Sequence, residues 1–226
     1  MVYAIIGVVV FLLLFLFVYT RQPKNNRVSL LKCLIGFGLG AIPAFFAAFY
    51  FQIFTGAYVT KGIENPMLKM FVEYFLIVAG SEELAKFLCG MLLLKNCKRR
   101  IDYVVVFAAV GIGFEIFESV LQINDLSGLL IKGLLSLHVC FQIFMGSLYG
   151  RGNKWLALIV PWVIHGAYDF MLSYSTGQAI VGSTAEKGAL TMLGVVIGGI
   201  TLLVLSLIYA HYIGKKCKQE EIRLVN

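Results

Sequence analysis

Seven runs of mostly apolar residues, joined by short polar segments, constrain what this chain can fold into. Each run approaches or exceeds the roughly 20 residues that an α-helix needs to cross a hydrocarbon core about 30 Å thick. Of the 226 residues, 60% are hydrophobic and 14% are charged, whereas soluble domains have about 45–50% and 25%. The sequence therefore predicts an all-α, polytopic transmembrane helical bundle that forms a single domain, 1–226. The predicted spans are Val2–Tyr19, Leu30–Phe54, Met67–Leu94, Ile101–Gln122, Leu126–Tyr149, Trp155–Tyr174 and Leu190–Ile213.

Lysine and arginine residues are concentrated in alternate loops. Four follow the first run, four the third, two the fifth and four the seventh, whereas the opposite loops carry about one each. Cytoplasmic loops of membrane proteins show this excess. We therefore expect a multi-pass protein of the cell membrane with its N-terminus outside and its C-terminus inside. The same distribution explains the net charge of +7 by membrane orientation, so the expected partner is membrane lipid and not nucleic acid.

Ionisable side chains cluster in the third to sixth runs. A charged side chain at the centre of a bilayer costs about 3 kcal/mol even on lenient insertion scales, so it indicates a functional site unless another reason is found. The first, second and seventh runs contain no acidic residue. We therefore expect a catalytic core at about 67–175. The candidate residues are Glu82, Glu83, Lys86, Glu115, Glu118, His138, His165 and Asp169.

Three of these side chains are of the types that bind zinc. Catalytic zinc typically has three nitrogen or oxygen ligands from the protein and one position left for water, and Glu118, His138 and His165 would supply them. Glu115 lies on much the same helix face as Glu118 and is the weaker candidate. Counted along its helix, Glu118 lies about 10 Å deeper than His165. Its place at the metal therefore requires tilted helices, a kink or a different helix boundary.

A carboxylate pair in the third run supplies the base that metal-assisted hydrolysis requires. Glu82 and Lys86 are four residues apart, so they share a helix face and can pair. We predict that Glu82 takes a proton from water and that Glu83 and Lys86 orient it. Either glutamate remains possible as the base, because adjacent helical residues point about 100° apart. Asp169, four residues after His165, would accept the second N–H of the imidazole, or ligate the metal or hold the substrate.

Four motifs in this order resemble the PrsW family of bacterial intramembrane metalloproteases, which are related to CAAX prenyl endopeptidases and bacteriocin-processing membrane proteases. The resemblance covers about Val78–Phe170, and the relatives carry EExxxR, FxxxH and HxxxN-type motifs. In this chain a glutamate replaces the second motif's histidine, and Ser119 follows where the family usually has asparagine. The motifs are Glu82–Lys86, Gly111–Phe114 with Glu118, His138, and His165–Asp169.

The resemblance implies an intramembrane metal-dependent endopeptidase that cleaves a single-pass membrane protein or peptide. One family member makes the first cut in an anti-sigma factor, so a membrane-anchored regulator of this kind is the expected substrate. Two alternatives stay open. The first is a CAAX-type membrane peptidase or a bacteriocin-immunity relative, which would share the catalytic residues. The second is a proton- or metal-ion transporter, because buried Glu, His and Asp also mark ion relays.

Overall fold

The computed structural model describes residues 2–122, 137–181 and 185–225, and every regular element in these ranges is helical. This confirms the predicted all-α class. Two π-helical segments, Gly40–Ala44 (π1) and Val72–Ala79 (π2), join consecutive α-helices into longer rods. The α-helices are α1 (Val2–Thr20), α2 (Leu30–Leu39), α3 (Phe45–Val59), α4 (Pro66–Phe71), α5 (Gly80–Met91), α6 (Arg100–Gln122), α7 (Leu137–Tyr149), α8 (Lys154–Val181) and α9 (Ala185–Val225).

Within the described residues, five helical stretches are long and apolar enough to cross a membrane, judged by length and composition. The described parts of the other two predicted runs are helical as well. They are the rod 66–91, which carries more charge, and the 13-residue α7; the first part of the predicted span Leu126–Tyr149 lies outside the described residues. The five stretches are Val2–Thr20, Leu30–Val59, Arg100–Leu121, Lys154–Tyr174 and Met192–Arg223.

Three helices continue beyond the ends that were predicted from hydropathy. The second, sixth and seventh runs were expected to end at Phe54, Tyr174 and Ile213, whereas the helices end at Val59, Val181 and Val225. The loss of apolar character does not stop a helix, because polar residues such as Lys, Gln and Glu propagate it well. The predicted apolar spans are thus contained in helices that extend further.

Helix α6 forms the centre of the bundle. Its apolar side chains Val105, Ala109 and Ile112 are fully buried. They belong to one core cluster with residues of α1, α7 and α9, among them Phe11 and Ile143. Because α6 also carries Glu115 and Glu118, this largely buried helix places both carboxyl groups inside the bundle.

Glycines let α2 and π1 lie against α6 at backbone distance. A Cβ on Gly40 would collide with the main-chain carbonyl of Val110 and would lie 2.9 Å from the main-chain nitrogen of Phe114. A Cβ on Gly113 would collide with the carbonyl of Phe37. Small residues are what allow such close helix approach in membranes. This contact fixes the position of α6 relative to the α2–α3 rod.

The basic segments gather at one end of the bundle. Arg99 donates to the main-chain carbonyl of Asn26, and Lys32 donates to the carbonyl of Lys95 over 2.6 Å. The C-terminal part of α9 joins them, since Asn26 also donates to Glu221 over 3.0 Å. The loops after the first and third spans and the C-terminal tail thus share one end, as the predicted topology requires.

Candidate metal centre

The candidate residues meet around a cavity of about 260 Å³ whose lining comes from α3, π2, α5, α6, α7 and α8. Glu83 and Lys86 lie behind the cavity wall, each with 0% of its side chain exposed. The structure therefore brings together all the side chains that the sequence singled out. The candidates that line the cavity are Glu82, Glu115, Glu118, His138, His165 and Asp169.

Glu83 connects three neighbouring helices. Its Oε1 atom lies 2.7 Å from Nζ of Lys86 and 2.9 Å from Nδ1 of His165, and its Oε2 atom accepts from Nε2 of Gln142 over 2.8 Å. Because a carboxylate only accepts hydrogen bonds, Nδ1 of His165 carries the proton. Glu83 therefore fixes the imidazole of His165 so that its Nε2 atom is turned toward the cavity.

Lys86 is a buried cation within a group of acidic and imidazole side chains. Its Nζ atom lies 2.7 Å from Glu83, 3.6 Å from Glu82 and 2.8 Å from Nδ1 of His138. It also lies over the ring of Phe114, 4.3 Å from the centroid. A buried charge is tolerated when it is paired and hydrogen-bonded, and Lys86 meets both conditions.

Both glutamates of α6 contact His138. Oε2 of Glu118 lies 2.8 Å from Nε2 of His138, and Oε2 of Glu115 accepts from the main-chain N–H of His138 over 3.0 Å. The depth difference counted along the sequence does not keep Glu118 away, since Glu118 and His165 line the same cavity. The depth counted along a straight helix therefore did not predict that Glu118 and His165 share a cavity.

The two carboxylate oxygens of Glu82 have different contacts. Oε1 accepts from Nε2 of Gln52 over 3.2 Å. Oε2 is buried and has no hydrogen bond among the described residues; it lies 3.6 Å from Nζ of Lys86, 3.8 Å from Nε2 of His138 and 3.9 Å from Nε2 of His165. A buried carboxylate oxygen that accepts no hydrogen bond and faces two imidazole nitrogens is a place where a metal ion fits.

Two groups of three side chains have donor atoms within 4.8 Å of one another, close enough to share a metal ion. One is Glu82, His138 and His165, and the other is Glu115, Glu118 and His138. His138 belongs to both groups, whereas Glu118 and His165 belong to different ones.

Asp169 lies on the cavity side of His165. Its Oδ2 atom is 3.1 Å from Nε2 of His165, and 22% of its side chain is exposed. The opposite ring nitrogen is taken by Glu83, and the ring of Phe141 stacks on the imidazole with centroids 5.1 Å apart. Asp169 therefore shares with Glu82 the nitrogen of His165 that faces the cavity.

Sequence reasoning missed two glutamines that contact the glutamate pair. Gln52 of α3 donates to Glu82, and the fully buried Gln142 of α7 donates to Glu83. Both are uncharged, so neither drew attention in a search for ionisable residues. The usable signal was a side-chain amide within an otherwise apolar helix, because a buried amide requires a hydrogen-bond partner.

Fold and site together define a helical membrane protein with a buried cluster of carboxylates, imidazoles and one lysine around a cavity. A comparison with protein-family models matches residues 29–205 to the PrsW family intramembrane metalloprotease. The chain belongs to this family, as its motifs predicted. Membership implies a bound metal, and the glutamate and histidine groups of the cavity are able to hold one.

Two curated relatives are both named Protease PrsW. The protein of Oceanobacillus iheyensis is 26% identical over 119 residues, which is 46% of this chain and 55% of the relative. The protein of Bacillus subtilis is 31% identical over 86 residues, which is 32% of this chain and 39% of the relative. The chain thus spans about half or less of the length of the relatives it matches. No solved structure matches it.

Proposed function

We propose that this chain is an intramembrane metal-dependent endopeptidase with zinc bound in the cavity. The observation that carries this proposal is the buried Oε2 atom of Glu82, which accepts no hydrogen bond among the described residues and faces Nε2 of both His138 and His165. Catalytic zinc sites with two histidines and one glutamate are a common type. Membership of a metalloprotease family supports the same conclusion.

The charge balance of the site favours a cation. Among the described residues, five carboxyl groups and one lysine surround the two imidazoles. A divalent ion would offset part of this negative charge in a medium of low dielectric constant. The contact of Glu83 with Nδ1 of His165 also fits, because metal-bound histidines usually donate their other N–H to a carboxylate or carbonyl. A histidine binds a metal as neutral imidazole, through a ring nitrogen that carries no proton, and this condition applies to Nε2 of His138 as well.

For the ligands we propose Glu82, His138 and His165, the group that includes both imidazoles. Glu118, 2.8 Å from Nε2 of His138, would then be the proton acceptor for water. The assignment predicted from sequence reverses the two glutamates, with Glu118 as ligand and Glu82 as base. Both versions use the same side chains, and one experiment distinguishes them.

The remaining residues would orient the reacting groups. A zinc ion held here would supply the Lewis acidity that polarises a peptide carbonyl. Glu83 holds the ring of His165, and Lys86 links Glu83 to His138. Asp169, partly exposed beside Nε2 of His165, is placed to position the peptide or to complete the ligand set.

For the membrane topology we propose seven crossings with the N-terminus outside and the C-terminus in the cytoplasm. The five apolar stretches would be joined by the rod 66–91 and by α7 with the residues preceding it. The clustering of basic segments at one end supports this orientation. The whole chain would form one domain, with the catalytic core at about 67–175.

The proposed substrate is a single-pass membrane protein or peptide, with a membrane-anchored anti-sigma factor as the specific candidate. A CAAX-type peptidase or bacteriocin-immunity relative would use the same residues on a lipidated peptide. A proton- or metal-ion transporter would move ions across vesicles without cutting a chain. Membership of a metalloprotease family favours hydrolysis over transport.

The zinc content of the purified protein in detergent tests the metal centre. We expect about one zinc ion per chain, lost in the His138→Ala/His165→Ala double variant and in Glu82→Gln. Glu118→Gln should keep zinc but no longer cleave members of a panel of tagged single-pass membrane proteins produced in the same cells. If Glu118→Gln loses zinc and Glu82→Gln keeps it, the sequence-based assignment is correct. No zinc in wild-type protein never exposed to chelator would refute the metal centre.

A further inference from the structure

Gln52 lies in α3, a helix made mostly of aromatic and aliphatic residues. Its half-buried side chain lines the cavity. The Nε2 atom lies 3.2 Å from Oε1 of Glu82 and 3.3 Å from Oγ of Ser81. An amide at this depth loses its water and requires protein partners. Both of its partners are in the first turn of α5, beside the candidate metal ligands.

The contact with Gln52 distinguishes the two oxygens of Glu82. Oε1 is bound to the amide, so Oε2 points toward Nε2 of His138 and His165. A glutamate side chain has several rotatable bonds and needs an external contact to hold one orientation. We propose that Gln52 is a positioning residue that holds Glu82 in the orientation required for metal binding. This inference rests on the proposed zinc centre.

The neighbouring Glu83 does not depend on an amide in the same way. Gln142 donates to its Oε2 atom, but Lys86 at 2.7 Å and His165 at 2.9 Å already hold Oε1. The nearest lysine atom to Glu82 is 3.6 Å away, which is beyond a normal hydrogen bond. Within the described residues, the amide of Gln52 is therefore the hydrogen bond that holds the carboxylate of Glu82.

Ser81 anchors Gln52 to the π-helical segment. Its hydroxyl donates to the main-chain carbonyl of Val78 over 3.0 Å. Because the single hydroxyl proton is used there, Ser81 acts as the acceptor for Gln52. The resulting chain runs from Val78 in π2 through Ser81 and Gln52 to Glu82. Wide π-turns occur frequently at functional sites, and this one starts the chain of contacts that ends at the carboxylate.

The test is the zinc affinity of Gln52→Met, a variant with similar length and no hydrogen-bond donor. Outer contacts of metal ligands typically contribute a factor of about 10–100 to metal affinity. We expect zinc binding, measured by competition with a chromophoric chelator in detergent micelles, to weaken by about that factor. The thermal unfolding midpoint of the metal-free protein should stay close to that of the wild type. The visible absorption bands of the cobalt-loaded protein should change, because the ligand oxygen is no longer held.

Thr55→Val is the matched control. Thr55 lies three residues further along α3 with comparable burial and does not line the cavity. Its zinc affinity and cobalt spectrum should equal those of the wild type. Equal zinc affinity in the wild type and Gln52→Met would overturn the inference while leaving the metal centre intact. No zinc binding by the wild type would overturn both.

A second variant keeps the test decisive if Gln52→Met does not fold. Ser81→Ala removes the hydroxyl that accepts from the amide of Gln52 and donates to the carbonyl of Val78. We expect zinc affinity to fall in the same direction by several-fold, with the fold retained. An unchanged affinity in Ser81→Ala would then overturn the role of this hydrogen-bonded chain.

Discussion

Lys86→Met is expected to lower the free energy of unfolding by about 3–5 kcal/mol, the usual effect of removing one partner from a buried ion pair. The lysine is fully buried and lies within 4 Å of Glu82, Glu83 and His138. Methionine preserves the length of the side chain but leaves two carboxylates without their cation in a region of low dielectric constant. The measurement is reversible unfolding by SDS in mixed micelles.

Two further variants separate the loss of the buried cation from the effect of replacing a lysine elsewhere. Lys69→Met changes an exposed lysine in α4 of the same helical rod and should alter stability by less than about 0.5 kcal/mol. Lys86→Met/Glu83→Gln removes the cation together with its nearest carboxylate charge, so it should regain part of the lost stability. If Lys86→Met were as stable as the wild type, the buried cation would not be balancing this cluster.

Two properties made part of the site predictable from sequence: the energetic cost of burying a charge and the periodicity of the α-helix. Charges such as Glu82 and Lys86 stand out in an apolar run because burial of a charge is costly. Their spacing of four residues predicts a contact that the structure contains, although at 3.6 Å it is the weaker one. The spacing of His165 and Asp169 likewise predicts the contact observed at 3.1 Å. Contacts within one helix follow from its geometry alone.

Contacts between helices could not be predicted in this way. Glu83 and His165 are 82 residues apart, and their pairing depends on how α5 packs against α8. The same holds for the contact of Lys86 with Nδ1 of His138. Gln52 was missed for a different reason, because an uncharged amide gives little signal in composition. The helices extend beyond the predicted spans because hydropathy reports the membrane boundary and not the end of backbone hydrogen bonding.

The helix starts were more readable than the helix ends. Ser29 accepts from the main-chain N–H of Lys32 at the start of α2, and Asn65 precedes Pro66 and accepts from the first main-chain N–H groups of α4. Both are standard N-cap arrangements. Pro43 marks π1 by a similar local rule, since proline lacks the N–H that a regular turn requires. Local chemistry therefore explains where these rods begin and bend, whereas tertiary packing decides which rods meet.

Gly40→Ala is expected to destabilise the protein by about 3 kcal/mol, at the upper end of the usual cost of overpacking. The added methyl group would collide with the main-chain carbonyl of Val110 and lie 2.9 Å from the main-chain nitrogen of Phe114. Backbone atoms cannot rotate away as a flexible side chain can, so π1 and α6 would have to separate. Thermal unfolding in detergent, followed by intrinsic fluorescence, measures the loss.

Gly38→Ala in the same rod is the matched control, because its Cβ would meet no atom within 4 Å. Alanine favours a helix over glycine by about 1 kcal/mol, so Gly38→Ala should be neutral or slightly stabilising. Stability changes of opposite sign for the two substitutions would locate the effect at the backbone contact and not in helix propensity.

Separation of π1 from α6 would also move Glu118, since it is one turn beyond Phe114 on the same helix. Zinc-dependent cleavage should therefore fall in Gly40→Ala and remain in Gly38→Ala. Equal stability of Gly40→Ala and Gly38→Ala would mean that the close contact between π1 and α6 does not hold the site together.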